Sequence, residues 1–455
     1  MIATLKPYRE YKESSQSWVG NVPQHWSVLP NRALFAEVKD RNHSEEEMLS
    51  VTITKGIVPQ AALLEGTSKK DSSNLDKTAY KLVQRRDLAY NKMRAWQGAI
   101  GVSAVRGIIS PAYVVMRLRQ GDNIPEYFHH LFRTPLFAKE AERCSYGITS
   151  DMWSLRPEHF KMIYTPLPPP AEQAAIVRFL HWANGRLERA IRAKRKVIAL
   201  LDEQKQAIIH RAVTRGPDPN VPLKRSDIPW LGEMPAHWEV SRIKNELRCL
   251  NTQRVPLNAV ERGAMTSRLY DYYGASGAID RVDDYLFDDE LILIAEDGAN
   301  LVLRNLPLAL IAKGKFWVNN HAHILKPRRG NIEYLAYLLE GLNYQPWISG
   351  AAQPKLTQAR LLSISIAVAP AVEQEAIVRF TSEQTRPLST AISRLEREIS
   401  LLREYRTRLV ADVVTGKLDV REAAARLPDE TPLDSVEDDA DLSDETEAVD
   451  EEAVA

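Results

Sequence analysis

Cysteine is nearly absent from this 455-residue sequence, which contains only Cys144 and Cys249. Two cysteines, one in each half of the chain, support neither a disulfide framework nor a cysteine-based zinc site. Long apolar runs are absent too, since no stretch approaches the roughly 20 apolar residues that span a bilayer, and residues 1–15 lack the apolar segment of a signal peptide. With 26% charged and 44% hydrophobic residues, the sequence predicts a cytoplasmic globular protein.

Motifs of the common catalytic sites are also missing. The sequence has no GxxxxGK[ST] phosphate loop, no GxGxxG after a strand, no GxSxG elbow and no HExxH. It also lacks the Asn/Asp-Pro-Pro-aromatic motif with which amino-methyltransferases hold a flipped base. The nearest metal candidate, His321 with His323, has no third ligand at recognisable spacing, so we expect hydrogen-bonding histidines there. We therefore expect a non-enzymatic chain with no catalytic residue, metal or cofactor of its own.

Charge is segregated along the chain, although the formal net charge is zero. Residues 428–455 contain 13 acidic residues and no Lys or Arg, so residues 1–427 hold all 60 basic residues against 47 acidic ones. Such a basic body is typical of proteins that bind nucleic acid, and an ordinary solvated surface is the alternative. The acidic end is typical of a disordered, solubilising tail, with DNA mimicry or partner docking as the alternative.

Two motifs each occur twice. WVGNVPQHW (18–26) returns as WLGEMPAHW (230–238) after 212 positions, and EQAAIVRF (172–179) returns as EQEAIVRF (373–380) after 201 positions. The chain therefore consists of two tandem copies of one plan, and the first copy is 11 residues longer between its motifs. We expect the tryptophans to anchor each domain on the segment that follows it, with base stacking as the alternative.

A heptad pattern follows each EQ motif. Apolar residues recur at alternating steps of four and three, which is the seam of a coiled coil. The seam comprises Leu187, Ile191, Ile198 and Leu201 in the first copy, and Leu388, Ile392, Leu395, Ile399 and Leu402 in the second. If the two helices pair antiparallel, the copies are related by a pseudo-two-fold axis, which is also the symmetry of the DNA backbone.

The regions between the motifs read as short β-rich runs broken by Gly, Pro, Asn and Asp, with one shorter helix in each. Each region predicts a compact α+β domain of about 150 residues. The predicted fold is therefore α+β, with two tandem domains separated by two long helices that form an antiparallel, pseudo-two-fold symmetric coiled coil. The expected boundaries are domains at 1–170 and 218–371, helices at 171–217 and 372–420, and an acidic, disordered tail at 421–455.

This combination resembles the specificity subunit of a type I restriction-modification system, over residues 7–420. In the first copy, LAYNKMRAWQGAIG (88–101) and GIISPAY (107–113) resemble one subclass of the family's target recognition domain. In the second copy, YYGASGAI (272–279), EDGANL (296–301) and FWVNNHAHIL (316–325) resemble another. Different subclasses imply different half-site sequences. The acidic tail departs from the family pattern.

The resemblance implies a non-catalytic DNA reader that takes part in phage defence. Each domain would read one half of a split double-stranded DNA target, and the helices that carry the heptad seams would dock two methyltransferase subunits. The methyltransferases would bring S-adenosylmethionine for DNA methylation. Two motor-nuclease subunits, which use ATP and Mg²⁺, would join them in the restriction complex.

The residues that we expect to contact DNA are basic, polar and aromatic side chains of the matched segments. Arg and Lys pair with guanine or phosphate, and Asn or Gln with adenine. The candidates in the first domain are Thr54, Lys55, Asn91, Lys92, Arg94, Trp96, Gln97 and Ser110. Those in the second are Arg268, Tyr270, Tyr273, Ser276, Asn300, Lys315, Asn319, Asn320 and His321. For each, a turn-forming or solvated side chain is the alternative.

Two other classes of function stay open at this stage. A structural adaptor would join two non-DNA interaction domains on the coiled coil, and it need not show salt-dependent retention on DNA. A fused methyltransferase or nuclease would need the catalytic motifs that the sequence lacks, and binding of S-adenosylmethionine by the isolated chain would favour it.

Overall fold

The computed structural model describes residues 5–64, 76–119, 121–147, 153–228, 231–274, 277–298, 300–304, 306–350 and 354–428. These form two compact units. Unit 1 combines Met1–Arg192 with Glu398–Ala455, and unit 2 is Ala193–Arg397. Each unit contains one α+β domain and a part of each of two long helices, which confirms the predicted fold class. Among the described residues, no helix has the length and apolar composition needed to cross a membrane.

The domain of unit 1 is built on a four-stranded antiparallel sheet. The strand order is β4-β11-β8-β9, and four small antiparallel pairs surround it: β1-β2, β3-β12, β5-β6 and β7-β10. The elements are β1 (Tyr11–Glu13), β2 (Asn21–Pro23), β3 (Ser27–Pro30), α1 (Asn31–Leu34), β4 (Phe35–Val38), β5 (Leu49–Thr52), β6 (Gly56–Pro59), α2 (Ala61–Leu64), β7 (Lys81–Val83), β8 (Leu88–Asn91), β9 (Ile100–Val102), β10 (Gly107–Ile109), β11 (Tyr113–Leu118), α3 (Pro125–Phe132), α4 (Pro135–Arg143), α5 (Pro157–Met162), β12 (Tyr164–Leu167) and the long helix α6 (Pro170–Arg215).

The core of unit 1 is an aromatic cluster centred on α3. Tyr127, Phe128, Leu131 and Phe132 are fully buried at the i, i+1, i+4 and i+5 spacing of one helix face. The Phe128 and Phe35 ring centroids lie 5.2 Å apart at an edge-to-face angle, a favoured geometry for aromatic pairs. Helix α3 is therefore a rigid element of the domain.

The domain of unit 2 has a larger sheet of six strands. The order is β16-β21-β19-β20-β17-β18, and the pairing is antiparallel except between β17 and β20. The elements are β13 (Leu223–Arg225), β14 (Glu233–Pro235), β15 (Glu239–Arg242), α7 (Ile243–Glu246), β16 (Leu247–Cys249), α8 (Ala259–Gly263), β17 (Tyr270–Gly274), β18 (Gly277–Val282), β19 (Phe287–Ala295), α9 (Asn300–Leu303), β20 (Ala309–Val318), β21 (Ala322–Pro327), α10 (Ile332–Glu340), α11 (Gln358–Ser363), β22 (Ser365–Val368), the long helix α12 (Ala371–Val414) and, within unit 1, α13 (Arg421–Ala425).

The long helices pair antiparallel. In unit 1, Ile176, Phe179 and Leu180 at the beginning of α6 share a core with Leu409 and Val413 at the end of α12. In unit 2, residues Ala212 and Val213 at the end of α6 share a core with Ile377 at the beginning of α12. In both units the start of one helix therefore packs with the end of the other, as the tandem repeat predicts.

The heptad seam is also confirmed. Leu187, Ile191, Ile392 and Ile399 are at most 8% exposed, and Ile198, Leu201, Leu388, Leu395 and Leu402 are partly buried. These side chains therefore stabilise the helix pair, and their expected part in docking a partner stays a prediction.

One buried carboxylate joins the domain of unit 1 to α6. Glu172, in the first turn of the helix, accepts hydrogen bonds from Trp26 Nε1 at 2.9 Å, from the Tyr8 hydroxyl at 2.5 Å and from His25 Nε2 at 2.7 Å. Burial and the adjoining carboxylate raise the pKa of Tyr8 far above its ordinary value, so its hydroxyl stays protonated and donates. A carboxylate here is also favoured by the positive end of the helix dipole.

Unit 2 repeats this contact with Glu373 of α12. Trp238 Nε1 donates to Glu373 at 2.9 Å, and His237 Nε2 lies 2.7 Å from the same carboxylate. Trp26 and Trp238 are both 0% exposed, so neither can stack on a base. The predicted anchoring role of these tryptophans is confirmed, whereas Trp230 lies outside the described residues.

The folded part of the chain extends beyond the expected start of the acidic tail at residue 421. Helix α13 packs Val420 and Ala424 into the core of unit 1, and Arg178 Nη2 donates to the carbonyl of Leu427 at 2.9 Å. The predicted start of the tail, placed directly after the expected end of the second helix, was therefore too early, because the apolar residues at 420–427 pack into the core. The predicted disorder of residues 429–455 concerns residues outside the described ranges.

We predict that Glu172→Ala destabilises unit 1 by about 2–5 kcal/mol, because it leaves at least two buried donors, from Tyr8 and Trp26, without an acceptor. Glu375→Ala is the control, since Glu375 lies near the start of α12 but is exposed. Denaturant unfolding followed by tryptophan fluorescence measures both. Equal stability of the two variants would show that the buried carboxylate is not the anchor.

The lowered pKa values of two histidines in α3 indicate that unit 1 loses folding stability in acid. Burial lowers the pKa of His129 to about 3 and that of His130 to about 4. Both are then neutral in the folded state but titrate near pH 6.5 when unfolded, so stability is lost as pH falls below about 6.5. At pH 5 the loss is about 2 kcal/mol for each histidine.

We expect His130→Gln to lose about 2 kcal/mol less stability than the wild type between pH 7.5 and pH 5. The measurement is the free energy of unfolding at both pH values, so a constant penalty of the substitution cancels. His43→Gln is the control, because His43 is a surface residue hydrogen-bonded to Asp40. Parallel pH profiles of the wild type and the His130 variant would contradict the prediction.

Candidate nucleic-acid interface

The first predicted contact segment of unit 1 is the tight turn between β5 and β6. Thr54 and Lys55 are exposed at its tip. Thr52 Oγ1 accepts from the Lys55 amide at 3.0 Å and donates to the Gly56 carbonyl at 3.1 Å. Gly56 has φ +76°, the left-handed region that favours glycine. The turn is therefore fixed by its own hydrogen bonds, and it presents two exposed polar side chains.

The second segment follows β8 and contains the candidates from Asn91 to Gln97. Asn91 Oδ1 accepts from the Met93 amide at 3.0 Å, and Trp96 Nε1 donates to the Met93 carbonyl at 2.8 Å. Arg94 Nη1 donates to Gln97 Oε1 at 3.0 Å. The amide oxygen of Asn91 and the indole N–H of Trp96 thus form hydrogen bonds within the turn itself, as expected of turn-forming residues.

Lys92 differs from its neighbours because it lines an open cavity of about 640 Å³. The Leu155 amide donates a hydrogen bond to the Lys92 carbonyl at 2.9 Å. This bond joins the wall of the cavity that contains Ser154 and Arg156 to the turn. Tyr146 is 62% exposed, and its ring is tilted by 51° against that of His159, with the ring centroids 4.7 Å apart. The lining residues are Lys92, Tyr146, Gly147, Ser154, Arg156, Pro157 and Glu158.

Tyr146 and Arg156 line this cavity but were not among the candidates predicted from the sequence. They lie about 55 to 65 positions from Lys92 in the sequence, so no local spacing connects them to it. In the sequence, the only sign of such a site was that the aromatic Tyr146 and the basic Arg156 lie on either side of one short segment. Ser110, by contrast, lies in a different turn between β10 and β11, where its hydroxyl accepts from the Ala112 amide at 3.4 Å.

In unit 2 the structure brings Tyr270 and Lys315 together. Tyr285 lies between them, with its ring centroid 5.1 Å from that of Tyr270 and 4.6 Å from Lys315 Nζ. The hydrogen bond to Tyr285 raises the pKa of Lys315, so the ammonium stays charged. An exposed cation on a pair of aromatic rings is suited to phosphate or base contact. Tyr285 was not among the sequence candidates.

A second group of candidates meets where β17 and β20 end. The Asn319 amide donates to the Tyr273 carbonyl at 2.9 Å, and Asn319 Oδ1 accepts from the His321 amide at 2.8 Å. Asn319 is only 7% exposed and forms part of the turn, and its contact with DNA stays a prediction. Asn320 and His321 are exposed beside it, and His321 Nδ1 lies 2.9 Å from Asp297 Oδ1.

The remaining candidates of unit 2 have different surroundings. Asn300 donates to the Leu306 carbonyl at 3.0 Å and accepts from the Leu306 amide at 2.9 Å, so it too shapes a turn. Arg268 lies 3.4 Å from Asp280, and its side chain is 47% exposed. Ser276 lies outside the described residues.

The histidine pair considered as a metal candidate is used in hydrogen bonds. His323 is fully buried, with Nδ1 2.8 Å from Asn251 Nδ2 and Nε2 2.7 Å from the Leu356 carbonyl. Burial lowers the pKa of His323, so the neutral ring accepts at Nδ1 and donates at Nε2. Across the described ranges, no group of three or more His, Cys, Asp or Glu side chains is placed to hold a metal ion.

Parts of this sequence are similar to known proteins. Residues 235–400 match the family model described as type I restriction modification DNA specificity domain. A protein of Haemophilus influenzae named as a type I restriction enzyme specificity subunit is 35% identical over 137 residues, which are 30% of this chain and 34% of that protein. The type I restriction enzyme EcoprrI specificity subunit of Escherichia coli is 26% identical over 141 residues, 31% of this chain and 33% of that protein. The matches thus span about a third of these curated relatives.

The fold has a solved counterpart over most of the chain. A chain in a structural study of complex assembly and conformational transition of the type I R-M system superposes with a TM-score of 0.55 at 14% identity, covering 87% of this chain and 99% of that one. At this identity the likeness concerns the fold alone. Residues 235–400 match the type I restriction modification DNA specificity domain, and the predicted resemblance of the chain to type I specificity subunits is confirmed.

Proposed function

We propose that this chain is the sequence-specific DNA-binding subunit of a type I restriction-modification complex, with no catalytic role of its own. Each domain reads one half of a bipartite target in double-stranded DNA. The observation that carries the proposal is the doubled anchor: Trp26 on Glu172 and Trp238 on Glu373 fix two domains in the same way to one pair of helices. A pair of equivalently mounted readers suits a target with two halves.

The two halves of the target differ because the two domains differ. The domain of unit 1 has a four-stranded sheet and that of unit 2 a six-stranded one. The candidate side chains lie in turns in unit 1, and on strands β17 and β20 and in the turn after β20 in unit 2. Thr54, Lys55 and Lys92 present hydroxyl and ammonium groups. Tyr270 and Tyr285 instead present a pair of aromatic rings, with the Lys315 ammonium on the ring of Tyr285. Unlike chemistry on unlike backbones selects unlike base sequences.

Two methyltransferase subunits dock on the helices and supply S-adenosylmethionine and the catalytic groups. Support comes from Leu200 of α6 and Leu401 of α12, which are 55% and 62% exposed and occupy equivalent positions of the repeat, 201 residues apart. Exposed leucines outside the seam are suited to burial against a partner. Two motor-nuclease subunits, with ATP and Mg²⁺, complete the restriction complex.

The helices also set the distance between the half-sites. Leu187 to Thr214 is 28 residues, or about 40 Å at about 1.5 Å per residue. At about 3.4 Å per base pair the half-site centres are about 12 base pairs apart. Subtracting one half-site of about four base pairs leaves an unread gap of about eight, and the variation in helix ends extends the expected range to about five to nine.

We predict that deletion of the gene removes methylation from one split motif in the host genome, with one methylated adenine in each half-site and on opposite strands. Opposite strands follow from the pseudo-two-fold relation of the repeats. Mapping methylated bases with and without the gene, while the methyltransferase is still expressed, measures this. A continuous palindromic motif, or no motif lost, would refute the proposed function.

We predict that Lys315→Ala weakens DNA binding of the chain in complex with its methyltransferase by about fivefold, or about 1 kcal/mol. If Lys315 contacts phosphate, the slope of log affinity against log salt falls by about one. The control is Lys224→Ala, which removes an exposed lysine of the short β13-β14 pair. Fluorescence anisotropy between about 50 and 200 mM salt measures both. Wild-type retention on DNA that does not depend on salt would favour the adaptor instead.

A further inference from the structure

Arg133, at the end of α3, donates hydrogen bonds to both candidate reading turns of unit 1. Its Nη2 lies 2.9 Å from the Ile53 carbonyl and also donates to the Thr54 carbonyl, in the β5-β6 turn. Its Nη1 lies 2.9 Å from the Ile100 carbonyl and 3.4 Å from the Gly98 carbonyl, at the end of the second segment. One planar guanidinium therefore bridges two turns that are about 45 residues apart in the sequence.

The surroundings of Arg133 leave room for this bridge. A side chain at Gly56 would place its Cβ 3.1 Å from Arg133 Nη1 and 3.4 Å from His129 Cε1, closer than ordinary contacts. Helix α3 itself is held by Tyr127, Phe128 and Phe132, all fully buried. The guanidinium thus links two surface turns to a rigid helix.

Unit 2 has an arginine with a similar set of contacts. Arg254 Nη1 donates to the carbonyls of Asn320 and Ala322 at 3.1 and 2.8 Å and to Glu296 Oε2 at 2.7 Å. These carbonyls flank His321, in the turn between β20 and β21. The Arg254 side chain is only 16% exposed, so its guanidinium faces the protein. It therefore holds the turn that carries Asn320 and His321.

We propose that Arg133 and Arg254 are positioning residues for target recognition: each fixes the backbone of the reading turns in its own domain through bonds to main-chain carbonyls. This inference depends on the proposed function as a DNA reader. Discrimination between bases requires donors and acceptors held to within about 0.5 Å, and a guanidinium supplies several donors in one rigid plane. A lysine has one nitrogen, so it cannot span the four carbonyls that Arg133 bridges.

The test compares Arg133→Lys and Arg254→Lys in the full chain assembled with its methyltransferase. Binding is measured to duplexes with the mapped target and to duplexes with one base changed in either half-site. We expect Arg133→Lys to lower discrimination about tenfold in one half-site and Arg254→Lys to do so in the other. The other half-site should stay within about twofold, and the salt slope should not change, because neither arginine contacts phosphate.

Two arginines of the chain provide matched controls. Arg119 Nε donates to the carbonyls of Arg32 and Phe35, both at 3.1 Å, and Arg304 Nη1 donates to the Leu342 carbonyl at 2.9 Å. Both bind main-chain carbonyls away from the candidate reading turns. Arg119→Lys and Arg304→Lys should leave discrimination unchanged, whatever they do to the unfolding temperature.

The outcomes separate the inference from the proposed function. Full discrimination by both lysine variants, a drop of about one in salt slope, or equal loss in both half-sites overturns the positioning role, while a wild type that discriminates between bases still supports the proposed function. A wild-type complex that shows no preference for any mapped sequence overturns both. Discrimination lost in one half-site for each variant, with intact controls, supports the inference.

Discussion

The structure depends on a carboxylate at the start of each long helix, buried for Glu172 and partly buried for Glu373. Glu172 and Glu373 accept an indole N–H and lie within hydrogen-bond distance of a histidine nitrogen. Because charge-assisted bonds of this kind are short and directional, they define how each domain is oriented on its own helix. The contact also explains why the Trp-Gly-Pro-His-Trp segment and the EQ motif recur together: the two motifs are the two sides of one interface.

The anchor is repeated in both copies, whereas the rest of each domain differs. Unit 1 places its candidate contacts on turns next to a four-stranded sheet, and unit 2 places them at the ends of strands in a six-stranded one. Neither set of turns includes the anchor residues. Changes in the candidate contact turns can therefore accumulate without loosening the attachment to the helices, as the proposed function requires of one scaffold with two specificities.

The sequence predicted the architecture better than the site. Repeats and heptads report burial, and the tryptophan anchors and the seam around Ile191 and Ile392 are buried as predicted. Asn300 and Asn319 were chosen because amides can pair with adenine. In the structure their amides form hydrogen bonds with nearby backbone groups. Which partner an amide binds depends on the local backbone geometry, which the sequence does not show. Arg133 was not identified because its partners lie about 33 to 80 residues away in the sequence. Tyr285 was not identified because strand pairing brings it next to Tyr270 and Lys315.

The division into units has a consequence for synthesis on the ribosome. Unit 2 is one continuous stretch, Ala193–Arg397, whereas unit 1 needs Met1–Arg192 together with residues that begin at Glu398. Val413, Val414 and Val420 are fully buried in the core of unit 1, so that core cannot close until they have been made. At about 5–20 residues per second, the N-terminal domain waits about 10–40 s for its last helix. During that interval Phe179 and Leu180 lack their native neighbours on α12, and the nascent chain is then most exposed to aggregation and to chaperone binding.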